Sequence, residues 1–178
     1  MQFMKIFVAP LLALTATGTM AAEFTKGPLI SQYGAHAEVK QTQPLSGKES
    51  FKVAFDVAEQ GETGKVNRKI ESLARFLNMH TNAGIPAENI QLALVVHGKA
   101  GFDLLDDANY KARFDSENPN AALLEALLKN KVRIIICGQS AAYHGIENSQ
   151  LVNGVEVALS AMTAHALLQQ QGYTVNPF

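Results

Sequence analysis

Two apolar runs decide the fold of this chain: residues 90–98 read IQLALVVHG, and residues 132–138 read VRIIICG. Each run is almost continuous in Ile, Leu and Val, without the alternation of polar and apolar residues that marks a strand with one face in water. Such strands are buried on both faces, which is typical of a parallel sheet covered by helices on each side. Both runs end in a chemically reactive side chain followed by glycine.

Weaker strand patterns and helical patterns alternate around these two runs. Apolar residues at helical spacing predict a helix over residues 65–80 and a short helix within residues 101–114. Further strands are predicted at residues 51–57 (FKVAFDV), 155–159 (VEVAL) and 173–176. This order predicts an α/β fold over residues 50–178, a three-layer α/β/α domain with a mainly parallel sheet of flavodoxin-like type.

Two more helices are predicted from their end signals. Asn118 is suited to cap a helix whose first residue is Pro119, and Asn130 is suited to end it in the left-handed conformation. Ser160 is predicted to cap a last helix that runs to about Gln171. Residues 23–49 are polar and rich in Gly and Pro, and are interpreted as an extended N-terminal arm without a reliably predicted element.

The first residues have the pattern of a secretory signal peptide. Lys5 precedes an apolar stretch over residues 6–16, and small residues follow at positions 19–22, so residues 1–22 are predicted to be removed. An uncleaved anchor is the alternative, but the stretch is shorter than the roughly 20 apolar residues that span a bilayer. The mature chain is therefore expected in a bacterial periplasm, without membrane attachment after cleavage.

Composition excludes several classes of function. The chain of 178 residues is 47% apolar, which is too high for a disordered protein, and its net charge of -1 gives no footprint for nucleic acid. Its one cysteine, Cys137, excludes an internal disulfide and a cysteine-rich zinc site. Since the sequence also has no glycine-rich phosphate loop and no metal-ligand spacing, neither a cofactor nor a metal is predicted.

The endings of the two buried strands are the candidate site, because open parallel sheets bind ligands at the carboxyl ends of their strands. Cys137 closes one strand, and a helical turn starting at Gly138, Gln139 and Ser140 would stabilise its thiolate or persulfide with free N–H groups. The alternative is that Cys137 only fills the core, as free cysteines often do.

Histidines offer a second polar group at the same edge. His97, followed by Gly98, closes the other strand and is suited to orient a substrate or shuttle a proton, or else simply bonds to a loop. His144 is either a loop residue or a further group over the same crevice. The remaining three histidines are predicted to have surface or helix-face roles: His36, His80 and His165.

These motifs resemble those of a known family. The series VVHG at residues 95–98, NPNAALLEALLKNKVRIIICGQSAAYHGI at 118–146 and GVEVALSAMTAHALLQQQGY at 154–173 resembles the DsrE/DsrF-like sulfur-relay family, and more closely its secreted branch. The resemblance covers about residues 50–178. It implies a flavodoxin-like fold and assembly into homo-oligomers, often trimers or hexamers.

The resemblance also implies a chemical role. In relay members a cysteine at this strand end accepts sulfane sulfur as a persulfide, and by position that residue is Cys137, while His97 matches the family's strand-end histidine. Because the chain has no second cysteine, transfer would need the thiol of a partner or a small-molecule sulfur donor or acceptor.

Three functional hypotheses follow. The leading one is a periplasmic DsrE/F-like protein that acts as a sulfur carrier and binds or relays sulfur through Cys137. The alternative is a non-catalytic oligomeric protein that binds a small molecule and in which Cys137 is structural. A third, a Cys–His hydrolase, requires an orienting third group and an oxyanion hole that the sequence does not identify.

Overall fold

The computed structural model describes residues 21–176. The predicted signal peptide falls almost wholly on residues 1–20, which lie outside the described residues. Within the described part of the chain, no helix is both long enough and apolar enough to cross a membrane.

Within residues 21–176, seven strands form two sheets. The strands are β1 (Phe24–Thr25), β2 (His36–Ala37), β3 (Phe51–Val57), β4 (Ile90–Val96), β5 (Arg133–Cys137), β6 (Glu156–Ala158) and β7 (Thr174–Asn176). The first two pair antiparallel, and the other five form one parallel sheet in the order β6-β5-β4-β3-β7. The predicted α/β fold with a mainly parallel sheet is confirmed, and the two apolar runs are its central strand β4 and the neighbouring β5.

Helices cover both faces of this sheet: α1 (Arg68–Asn82), α2 (Asp107–Phe114), α3 (Ala121–Lys129), α4 (Gly138–His144) and α5 (Ala161–Gln170). On one face, the larger side chains of β3, β4 and β5 pack against α1, α2 and α3. On the other face, α5 packs through Ala164 and Leu168 on a floor that includes Ala54 and Ala93. These two alanines, both fully buried, let α5 lie close to the strands.

Several helix boundaries differ from the sequence prediction. The helix predicted to start at Pro119 starts at Ala121, because the Asn118 side chain donates to Asp103 O and Leu105 O and is thereby held in a preceding turn. At the other end Lys131, not Asn130, adopts the left-handed conformation, with a φ of 62°. The predicted short helix divides into a 3₁₀ segment at Gly98–Leu104 and α2.

The N-terminal arm is fastened to α1 by one buried side chain. Asn78 accepts hydrogen bonds from Leu29 N (3.2 Å) and Ile30 N (2.9 Å), and its amide donates to Ile30 O and Tyr33 O, both at 2.9 Å. Gly34 lies so close to the helix that an added Cβ would be 2.4 Å from the Ala74 backbone. The arm therefore covers α1, although its sequence predicts no regular element.

Candidate functional site

A crevice of about 300 Å³ opens at the carboxyl edge of the large sheet. Three neighbouring strands contribute to it: Asp56 lies in β3, His97 follows β4, and Cys137 ends β5. The register aligns the strand ends, since Val57 pairs with Val96 and Val96 pairs with Ile136. The remaining lining residues come from the starts of α4 and α5: Gln139, Ser140, Ser160, Ala161, Met162 and His165.

Strand alternation explains why the three strand residues share a face. Ala54, Ala93 and Ile135 point toward α5, and side chains two residues further along each strand return to the same side. Those positions are Asp56, Val95 and Cys137, and His97 follows Val95 by the same step of two. The sheet therefore presents a carboxylate, an imidazole and a thiol to the N-terminal part of α5.

Cys137 is 6% exposed and forms the N-cap of α4, which begins at the next residue. Burial raises the pKa of its thiol, but hydrogen bonds from the Ser140 hydroxyl and from the N–H groups of Ser140, Ala161 and Gln139 outweigh burial, so that the pKa lies below its ordinary value. Since Ala161 is the first residue of α5, the first turns of two helices converge on one sulfur.

Two glycines make this convergence possible. A Cβ on Gly138 would lie 2.7 Å from Ala158 O, so glycine is needed where β5 leaves the sheet beside β6. Gly98 has a φ of +54°, and its N–H donates to the Ser140 hydroxyl at 3.0 Å. Ser140 therefore links the strand end that carries His97 to the one that carries Cys137.

Asp56 joins two imidazoles. Its Oδ2 accepts from His97 Nε2 at 3.1 Å, and its Oδ1 accepts from His165 Nε2 at 2.7 Å. Burial raises the pKa of this carboxyl, but the two imidazole hydrogen bonds and the positive charge of the rings outweigh it, so that the pKa lies below its usual value. The other ring nitrogen of His165, Nδ1, is buried without a hydrogen-bond partner.

The structure brings together most of the residues singled out in the sequence, but not all. Gln139 lines the crevice, where its side chain donates to Leu159 O at 3.3 Å, and Ser140 and His97 lie beside it. His144 does not line the crevice. It is the last residue of α4, and its ring packs against that of Phe102 with the two ring centroids 5.0 Å apart.

Sequence reasoning missed Asp56 and His165. For Asp56 a signal existed, since a carboxylate one residue before the end of a predicted strand is suited to reach the edge of the sheet. His165 was expected to have a surface or helix-face role, and only its contact with Asp56, 109 residues away, identifies it. Among the described residues, no group of three or more His, Cys, Asp and Glu could hold a metal ion.

The sequence motifs imply a cysteine at a strand end beside helix N–H groups. The structure has this arrangement at Cys137, whose thiol accepts hydrogen bonds from such groups and has a lowered pKa. The DsrE/DsrF-like family model matches residues 52–177. The chain belongs to the DsrE/DsrF-like family. At the level of the family, this membership implies a role related to sulfur relay. A search of curated proteins finds no match.

The fold is also found in a solved structure of another protein. The chain is similar to a protein of unknown function, MTH1491, from Methanobacterium thermoautotrophicum, with 16% sequence identity and a TM-score of 0.55. The similarity covers 72% of this chain and 100% of that one. At this identity the match supports the α/β fold of the DsrE/DsrF-like domain.

Proposed function

We propose that this chain is a periplasmic sulfur carrier that holds sulfane sulfur as a persulfide on Cys137. The observation that supports it is the convergence of N–H groups from the starts of α4 and α5 on the Cys137 sulfur, which lowers the pKa of the thiol. Free N–H groups at two helix starts favour a negative charge at this edge of the sheet, so they would also favour a persulfide anion, whose charge lies on the outer sulfur one S–S bond beyond the cysteine.

The chemical step needs no added oxidant. The Cys137 thiolate attacks the outer sulfur of a donor such as thiosulfate, and a new S–S bond forms to the cysteine. The S–S bond within the donor breaks, and sulfite leaves with the bonding electron pair. With polysulfide as donor, a shortened polysulfide leaves instead. Release requires a partner thiol or a small-molecule acceptor, because Cys137 is the one cysteine of the chain.

Mass spectrometry of the intact protein tests this proposal. After incubation with thiosulfate or polysulfide and removal of the donor, we expect a gain of about 32 Da, one sulfur atom, that dithiothreitol reverses. Cys137→Ser is the matched control, because serine is a favourable N-cap for α4 and should leave the fold intact. Absence of the adduct on the unaltered chain with both donors would contradict the proposal.

The second candidate is a non-catalytic binding protein in which the crevice holds a small molecule and Cys137 is structural. The small exposure of Cys137, 6%, favours it. Iodoacetamide separates the two candidates: a sulfur carrier should be alkylated at Cys137 while folded, whereas a structural cysteine should react only after denaturation.

Assembly into a homo-oligomer, a trimer or hexamer, is part of the proposal. Family members are often oligomeric, and several large apolar side chains beside the crevice are exposed, among them Leu159 at 72% and Met162 at 81%. Light scattering coupled to size-exclusion chromatography measures the mass directly.

Export is proposed from the signal pattern of residues 1–22 and is tested by N-terminal sequencing of the protein recovered from the periplasm.

A further inference from the structure

A hydrogen-bonded chain of three side chains stands beside Cys137: His165, Asp56 and His97. Because a carboxylate can only accept, the Nε2 atoms of both imidazoles carry the hydrogens that they share with Asp56. His165 has its remaining nitrogen buried, so it cannot offer that nitrogen to a ligand. The His97 side chain is 35% exposed and lines the crevice, which leaves its Nδ1 for a bound molecule.

Neither the His97 nor the His165 imidazole is among the groups that hydrogen-bond to the Cys137 thiol. The groups that hydrogen-bond to the Cys137 sulfur are the Ser140 hydroxyl and backbone N–H groups, and the ring of His97 is turned toward Asp56 on β3. In a Cys–His hydrolase, by contrast, the imidazole accepts the proton of the thiol. In this crevice the thiolate is stabilised by N–H groups, so His97 is left without a role at the sulfur.

We propose that His97 donates a proton to the leaving group of the sulfur donor, and that Asp56, itself held by His165, is the positioning residue that orients His97. The inference rests on the proposed persulfide function and deepens it. With thiosulfate, Cys137 takes the outer sulfur, the S–S bond of the donor breaks, and the departing sulfite takes the bonding pair and a proton from His97 Nδ1. The products are the persulfide anion, hydrogen sulfite and a neutral imidazole.

The surroundings of His97 suit this role. The titratable side chains that face the crevice are Asp56 from β3, His97 after β4, Cys137 from β5 and His165 from α5. Asp56 accepts one hydrogen bond from His97 Nε2 and one from His165 Nε2, so the carboxylate is held from both sides and fixes the orientation of the His97 ring. Protonation matters most when the leaving group is a strong base, because a weak base departs readily without it.

Leaving-group dependence provides the test. Persulfide formation on Cys137 is followed by mass spectrometry with two donors, thiosulfate and benzenethiosulfonate, whose leaving group, benzenesulfinate, is a much weaker base than sulfite. For Asp56→Asn we expect loading from thiosulfate to slow by about tenfold to a hundredfold. Loading from benzenethiosulfonate, and alkylation by iodoacetamide, should stay within about twofold of the unaltered chain, since neither needs the acid. His97→Gln should show the same selective loss.

Asp115→Asn is the matched control. It removes a carboxylate from an exposed position whose left-handed conformation (φ 54°) asparagine tolerates, and it should load like the unaltered chain. If Asp56→Asn loads normally from thiosulfate, or slows both donors and alkylation equally, the positioning role is wrong while the persulfide function stands. If the unaltered chain gains no sulfur from thiosulfate, benzenethiosulfonate or polysulfide, the proposed function fails and this inference fails with it.

Discussion

Replacing Ser140 by alanine removes the hydroxyl that connects two strand ends. In the structure this hydroxyl accepts from Gly98 N at 3.0 Å and donates to the Cys137 sulfur. Ser140→Ala should therefore have two separable effects. It leaves one backbone N–H without its acceptor, and it removes one of the hydrogen bonds that lower the pKa of the thiol.

The size of the stability effect follows from burial. Loss of a partner costs about 1–3 kcal/mol for a buried group, and since Ser140 and Gly98 are only half-buried, water can replace part of the bond. We therefore expect a loss of about 1 kcal/mol, which lowers the Tm by about 2–4 °C in a protein of this size. The thiol should respond more strongly, because hydrogen bonds to charged groups are the stronger kind.

The assay is the rate of Cys137 alkylation by iodoacetamide across a pH series. Since only the thiolate reacts, Ser140→Ala should move the midpoint to higher pH and reduce the rate at pH 7 by about threefold to tenfold. Ser140→Thr keeps a hydroxyl and should behave like the unaltered chain, and Ser72→Ala, on α1 at the opposite face of the sheet, controls for loss of a helical serine. An unchanged midpoint in Ser140→Ala would refute the assignment of the hydroxyl as a thiolate donor.

Three further predictions concern the groups that support the site and the arm. Gly138→Ala should cost about 1–3 kcal/mol and slow alkylation of Cys137, because the new Cβ would lie 2.7 Å from Ala158 O; an equal alkylation rate would speak against it. Asn78→Ala should cost about 2–4 kcal/mol in thermal or urea unfolding and expose the arm to protease, since buried backbone groups of residues 29–34 lose their partner; a protected arm would contradict this. Burial raises the pKa of Asp103, so its contribution to stability is full below the unfolded pKa, about 3.9, and is lost as pH rises through the folded pKa. The Tm of Asp103→Asn relative to the unaltered chain should therefore increase from acid to neutral pH, and a difference that stays flat would contradict the prediction.

The parts of the fold that the sequence predicts are those encoded over short stretches. The β4 and β5 runs specify buried parallel strands, and the edge at which such strands end is a general property of the architecture, so His97 and Cys137 could be assigned to one crevice. Hydrophobic periodicity likewise located the core stripe of α1. Each of these inferences needs only a window of about ten residues.

What the sequence could not reveal depends on polar contacts between distant segments. The start of α3 is set by Asn118 binding backbone near residue 104. Most of the side-chain hydrogen bonds that hold the arm on α1 come from Asn78, with one more each from Glu71 and Arg75. His165 meets Asp56 only because α5 crosses the sheet above β3, a placement that periodicity does not encode. Asn and His side chains of this kind look like ordinary surface residues until their partners are known.

The two alanines beneath α5, Ala54 and Ala93, limit which substitutions the sheet can accept. Ala54 and Ala93 do not line the crevice, yet their size sets the height of α5 above the strands, and with it the distance from His165 to Asp56 and from the Ala161 N–H to the Cys137 sulfur. A single added methyl group beneath the helix would lengthen both contacts at once. Two of the smallest side chains in the protein, outside the lining of the crevice, thus set the spacing between α5 and the groups that line it.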